Sequence, residues 1–183
     1  FLMAHNVPAV ILAAGASERL GQPKALAIFN GESLVKRAVR QLKESGCRTI
    51  VVVTNTELAV DIMLEIEEGS VVVNQNPEEG RTGTLQCGLL SLGGEKGNFP
   101  RKVLVVPVDR CGWTVETIDV LLQENKSCSP IPSGHPLLLC DSDIEDVLAA
   151  TPDMPLRDLV NFVRIDAPGK FLNIDTPADL EAL

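Results

Sequence analysis

The sequence predicts an α/β fold, a three-layer αβα sandwich around a predominantly parallel sheet, and two patterns carry that expectation. Short continuous apolar runs recur along the chain, and segments of helical period lie between them. A strand covered on both faces needs no polar alternation, so runs such as Val51-Val52-Val53 and Val103-Leu104-Val105-Val106 suit parallel strands buried under helices.

Taken in order, strands are expected at Ala9 to Ala13, Thr49 to Thr54, Ser70 to Val73 and Val103 to Val108. A less regular set follows near Leu137 to Cys140, Phe162 to Ile165 and Phe171 to Ile174. The first helix is expected over Glu32 to Ser45. There Leu34, Val35, Ala38, Val39 and Leu42 form one stripe, Lys36, Arg37, Arg40 and Lys43 lie opposite, and Gly46 supplies the C-terminal stop. Leu58 to Glu67, Thr84 to Leu92, Val115 to Glu124 and Asp143 to Ala150 read as further helices, completing a β-α alternation. Pro130 to Pro136 and Pro152 to Pro155 read as loops over one end of the sheet. With 183 residues, no internal repeat and no linker-like tract, a single domain over 1–183 is expected.

Composition narrows the function. Aromatic residues make up 3% of the chain and Tyr is absent, so the core must be built from Val, Leu, Ile and Ala and base-stacking platforms are not expected. A net charge of -9 repels a phosphate backbone, which argues against nucleic acid and anionic membranes as partners. Any anionic ligand therefore needs a local positive site. Five scattered Cys without a CxxC pair, and only His5 and His135, indicate neither a disulfide framework nor a zinc centre. No apolar run approaches the ~20 residues that span a bilayer, and Phe1 to Asn6 is too short for a signal peptide, so a soluble cytoplasmic protein is expected.

The first strand runs into Leu12-Ala13-Ala14-Gly15 and on to Lys24, a small-residue loop at the end of a strand, where open α/β sheets bind ligands. Ala13, Ala14 and Gly15 lack the bulk to hold a phosphate away from backbone N–H groups. Arg19 and Lys24 add cationic donors suited to a triphosphate. The spacing is neither that of the P-loop nor that of the dinucleotide fingerprint. It resembles the signature LAAGxSxRMGxxK of the MobA-like nucleotidyltransferases, which include the molybdenum-cofactor cytidylyltransferases and guanylyltransferases, with Leu20 in place of Met.

Further blocks resemble that family in the same order, from Pro8 to Leu180. Asn30-Gly31-Glu32-Ser33-Leu34 resembles the turn before its first helix, and Asn-Gly is independently a tight-turn signal. In the stretch Asn76 to Leu89, the resemblance puts Asn76, Gly80 and Thr84 on the base and ribose side. Asp109 ends a buried strand at the mouth of the sheet, a place suited to holding Mg²⁺ against phosphate oxygens, although an Asp there also commonly caps a helix. Gly134-His135-Pro136 is similar to a block typical of the cytidylyl branch. It implies an acceptor-side role in which His135 positions or protonates a phosphate, or only braces the loop. Asn173 to Leu180 resembles a DIDTPEDL ending. It makes Asp175 a second metal ligand, while Thr176, Pro177 and Asp179 also read as the first turn of a last helix.

The resemblance implies a Rossmann-like fold of the nucleotide-diphospho-sugar transferase type and a Mg²⁺-dependent nucleotidyltransferase. CTP is the favoured nucleoside triphosphate, and a molybdopterin-like, phosphate-bearing small molecule the acceptor. Arg19 and Lys24 would neutralise the β/γ-phosphates, and Asp109 and Asp175 would hold the metal. Alternatives are guanylyl transfer, an acceptor that is a sugar 1-phosphate or a small alcohol phosphate, and a non-catalytic nucleotide-binding protein. Two departures fall on the acceptor side: Cys111 stands where the family has Pro, and Pro152-Asp153-Met154-Pro155 replaces its Gly-Asp-x-Gly block.

Overall fold

The structure is a computed structural model that describes residues 4–16 and 18–183. In chain order its elements are β1 (Ala9–Ala13), the hairpin β2 (Ile28–Phe29) and β3 (Glu32–Ser33), α1 (Leu34–Glu44), β4 (Ile50–Thr54), α2 (Ala59–Glu65), β5 (Ser70–Val73) and α3 (Arg81–Gly93). There follow β6 (Lys102–Pro107), α4 (Val115–Leu122), β7 (Cys128–Ile131), β8 (Leu137–Cys140), α5 (Ser142–Ala149), α6 (Leu156–Leu159), β9 (Val163–Asp166) and α7 (Pro177–Glu181).

Seven strands form the main sheet in the order β5-β4-β1-β6-β8-β7-β9. The first four of these run parallel, β8 is antiparallel to both β6 and β7, and β7 is parallel to β9. The expected parallel sandwich is therefore present, with one strand reversed. The reversal has a positional effect. Leu137, at the start of β8, pairs with Val105 near the end of β6, so the turn that enters β8 opens at the rim where β1 and β6 finish.

Successive residues of the central strands face two cores. Ala9, Ile11, Val52, Leu104 and Val106 pack with Leu34, Val35 and Ile118 on one side, and Val10, Leu12, Val53 and Val105 pack with Leu85 and Leu89 on the other. Every second side chain is thus removed from water by a different helical layer, which explains the absence of polar alternation. Close approach of α3 to the sheet depends on Gly88. A Cβ there would lie 2.4 Å from Val10 Cγ1 and 3.0 Å from Val53 Cγ2, both on buried side chains. Gly88→Ala is expected to destabilise the fold by roughly 1–3 kcal/mol through overpacking, more than the ~1 kcal/mol that alanine returns in helix propensity. Denaturant melts check this, and an unchanged midpoint would contradict it.

The Asn-Gly signal is a true hairpin turn, with φ of 49° at Asn30 and 79° at Gly31, the left-handed pair that a two-residue loop requires. α1 begins at Leu34 and not at Glu32, because Ser33 is its cap, accepting from Lys36 N at 3.2 Å. Three other expectations are corrected. α3 starts at Arg81, three residues before Thr84. The first part of the expected loop Pro130 to Pro136 belongs to β7; pairing of β7 with β8 is confined to Cys128, so Pro130 interrupts no ladder on that side. The expected strand Phe171 to Ile174 is only an isolated bridge between Asn173 and Arg110, with Phe171 66% exposed. Among the described residues no helix is long and apolar enough to cross a membrane.

Candidate nucleotide and metal site

The site begins where β1 stops. Thr54 Oγ1 donates to Ala13 O at 2.9 Å and Val108 N donates to Leu12 O at 3.0 Å, so the two flanking strands pin the start of the loop. Leu12, Ala13 and Ala14 are buried, whereas Gly15 and Ala16 are exposed. Together with Lys24, Thr84 and Asp109, these residues line a cleft of about 320 Å³.

Lys24 opens a short 3-10 turn, and its ammonium donates to Asp109 Oδ2 at 3.2 Å and to Asp175 Oδ1 at 2.7 Å. The partners come from distant parts of the chain and meet because Ile174 N donates to Asp109 O at 2.8 Å, which lays the final segment across the end of β6. Asp175 is braced further. Its N–H donates to Asp179 Oδ2 at 2.9 Å within the capping box of α7, and Asn173 Nδ2 donates to its Oδ2 at 2.8 Å. The hydrogen bond from Lys24, followed by the Lys24 and Arg19 charges, holds the Asp175 carboxyl below its ordinary range. Arg19 Nη1 lies 3.9 Å from Asp175 Oδ2 on a side chain that is 80% exposed, so it reaches the cluster from the mouth of the cleft.

This donor set suits a hard divalent cation, because one oxygen from each of two carboxylates already converges on a single positive charge. No group of three or more His, Cys, Asp and Glu side chains gathers among the described residues. An ion held by Asp109 and Asp175 would therefore complete its oxygen shell with triphosphate oxygens and water, as Mg²⁺ commonly does.

Two other clefts adjoin the first. One, of about 460 Å³, shares Ala14, Gly15 and Leu58 with it and adds Asn55, Asn74 and Gln75. Asn76 is exposed and lines neither cleft; its N–H donates to Asn74 Oδ1, while Asn74 Nδ2 reaches Thr84 Oγ1 at 3.1 Å. Asn74, and not Asn76, lines the adjoining cleft. Its sequence signal was its place at the end of the Val71-Val72-Val73 run. Gly80 is outside the cleft linings as well and begins α3 at φ 133°.

The other adjoining cleft, of about 380 Å³, carries His135 with Arg81, Met154, Leu156, Arg157 and Phe162. Gly134 and Pro136 support it from behind. Gly134 turns at φ 77° with its N–H donating to Pro130 O, and Pro136 is buried. Burial, then the Arg110 and Arg81 charges, pushes the His135 imidazole down to about 4, so at neutral pH it is uncharged and suited to hydrogen bonding rather than to proton donation.

Residues 9–167 match the MobA-like NTP transferase domain. The chain belongs to this family of nucleotidyltransferases. Nicotine blue oxidoreductase of Paenarthrobacter nicotinovorans is 30% identical over 161 residues, which are 79% of this chain and 76% of that one. A probable molybdenum cofactor guanylyltransferase of Opitutus terrae is 36% identical over 59 residues, 32% of this chain and 29% of its own. The fold is shared with Rv0371c of Mycobacterium tuberculosis, crystallised with manganese, at a TM-score of 0.71 and 17% identity over 98% of each chain.

In this MobA-like transferase the Cys111 departure is a packing residue. Its buried Sγ contacts Val108 O at 3.2 Å, and burial pushes the thiol up to about 12, which removes it as a nucleophile. Arg81, which carried no signal in the sequence, lines both the loop cleft and the His135 cleft, as Leu12 and Pro107 do.

Proposed function

We propose that this transferase moves CMP from CTP to a molybdopterin-type phosphate acceptor, with Mg²⁺ and with release of pyrophosphate, as a single cytoplasmic domain. The observation that carries the reading is the meeting of Lys24, Asp109 and Asp175 beside the small-residue loop, in a cleft continuous with a second one.

An ionised acceptor phosphate oxygen attacks the α-phosphorus in line. The new P–O bond forms as the bond from the α-phosphorus to the β-bridging oxygen breaks, and the electron pair leaves with pyrophosphate. The nucleophile is already ionised, so positioning and charge neutralisation suffice and no base is required. Backbone N–H groups of Ala13, Ala14 and Gly15 orient the phosphates, and Lys24 and Arg19 offset the β/γ charge. Asp109 and Asp175 would hold the metal, which when bound supplies Lewis-acid stabilisation of the phosphoryl oxygens. His135, neutral, would hydrogen-bond the acceptor.

Cytosine selectivity is supported by Ala14, which is buried and lines both the loop cleft and the Asn74 cleft, so its methyl takes space beside a base. CTP is expected to be preferred over GTP by at least ~1 kcal/mol, the effect of one misfitting group. Competition for a labelled nucleotide in Mg²⁺ measures it, and Ala14→Gly should narrow the gap. GTP binding as tightly as CTP would favour the second reading, guanylyl transfer, which the similarity to the Opitutus protein supports.

The deciding experiment follows pyrophosphate release with CTP, GTP and ATP against phosphate-bearing acceptors, including sugar 1-phosphates and small alcohol phosphates. A parallel arm follows oxidation of reduced nicotinamide nucleotides, because the Paenarthrobacter relative is named an oxidoreductase. Pyrophosphate release with CTP and a molybdopterin-type acceptor is expected. Nucleotide binding without turnover on any acceptor would overturn the proposal.

A further inference from the structure

We propose that Arg81 is a shared anchor for donor and acceptor, and that the acceptor is a phosphate monoester carried on an apolar, ring-sized body. This rests on the nucleotidyl-transfer reading and gives the acceptor its chemical class.

The loop cleft and the His135 cleft meet at Leu12, Arg81 and Pro107, and Arg81 is the charged member of that trio. In-line attack requires the acceptor oxygen and the α-phosphorus to meet where the clefts join, so a guanidinium at the junction faces both phosphates. Its planar fork can take one oxygen of each. Neither Arg81 nor Arg157 has a carboxylate partner among the described residues, although the chain carries a net charge of -9. Asp153 lines the same cleft and is the opposing charge there. Most of the remaining wall is apolar, from Leu137, Met154, Leu156 and Phe162, and His135 Nδ1 is buried without a hydrogen-bond partner. A ligand that satisfies this cleft is anionic at the Arg81 end and apolar along its length, with an atom to meet the imidazole.

The first turn of α3, which carries Arg81, is locked in place. Gly83 N donates to Pro152 O at 3.2 Å, and Thr82 Oγ1 donates to Met154 O at 2.5 Å. A Cβ at Gly80 would stand 2.7 Å from Pro152 O, and one at Gly83 would stand 2.8 Å from Pro152 Cβ. The Pro152-Asp153-Met154-Pro155 departure from the family pattern is thus keyed to two glycines of the nucleotide block. It holds the junction arginine while building the acceptor wall.

Calorimetry on the full chain tests this with 1-naphthyl phosphate, inorganic phosphate and 1-naphthol, and separately with a non-hydrolysable α,β-methylene analogue of CTP in Mg²⁺. Naphthyl phosphate should bind at least about tenfold more tightly than either fragment. Arg81→Ala should weaken both naphthyl phosphate and the CTP analogue by about tenfold, the size of a lost charged hydrogen bond, with part restored in Arg81→Lys. Arg157→Ala should weaken naphthyl phosphate alone. Thermal unfolding of each variant separates lost contacts from lost fold. The proposal is overturned if Arg81→Ala binds either ligand as the parent does, or if naphthyl phosphate binds no better than naphthol. Failure of the parent chain to bind the CTP analogue would instead sink the nucleotidyl-transfer reading, and the proposal with it.

Discussion

Asp109→Asn is expected to slow nucleotidyl transfer by roughly 100- to 1,000-fold, the cost of removing one preorganised electrostatic contact from a phosphoryl-transfer site. The substitution keeps the shape of a side chain that is only 13% exposed and removes its charge, so the fold should survive. What is lost is half of the carboxylate pair that converges on Lys24. Mn²⁺ affinity measured by paramagnetic resonance should fall together with the rate, and Asp175→Asn should behave alike. Asp179→Asn should do less. Its carboxylate braces the backbone N–H of Asp175 and caps α7. A rate in Asp109→Asn within a few fold of the parent would remove both aspartates from the proposed metal role.

Lys24→Ala should weaken CTP binding by roughly 10- to 100-fold while leaving CMP nearly unaffected, because a hydrogen bond to a charged group contributes about 1.5–3 kcal/mol and CMP lacks the outer phosphates. A second effect should run the other way. Lys24 Nζ now sits between Asp109 and Asp175, and removing it leaves two facing carboxylates without that counter-charge. Divalent metal alone should therefore bind the variant more tightly than the parent even though triphosphate binds less well. Calorimetry with CTP, CMP and Mn²⁺ in turn distinguishes these outcomes. Equal CTP affinity in variant and parent would make Lys24 a counter-ion for the aspartates and nothing more.

Much of the part around the loop cleft was legible in the residues themselves. β1, β4 and β5 are apolar runs because each strand lies between two helical layers, and Asp109 could be found because it ends such a run. The Asn30-Gly31 turn was legible for a local reason as well, since few other residue pairs adopt its backbone angles. The part around the His135 cleft was read less well because its order comes from distant contacts. Pro130 argued for a loop, and only the retreat of β8 beyond Cys128 makes room for it in β7. Phe171 to Ile174 has strand composition but meets the sheet's end at Arg110 rather than its edge. Arg81 gave no signal because its place between the two clefts depends on Pro152 packing against α3, some seventy positions away in the chain. Asn74 and Asn76 look alike in the sequence, and burial is what separates the two.

The reversal of β8 has a consequence for how such a protein changes over time. The charge cluster is assembled from the loop after β1, the end of β6 and the closing segment, and the His135 cleft adds the turn into β8 and residues 153–157 to walls taken from β1, α3 and β6. The two clefts meet at Leu12, Arg81 and Pro107, and residues 152–154 are bonded to the first turn of α3, so a change on one side is felt on the other. A lineage that rewrites residues 152–155 must therefore keep their fit against Gly80 and Gly83, where a Cβ would meet Pro152. For a protein engineer the same coupling means that residues 80–83 and 152–155 are exchanged between relatives together or not at all.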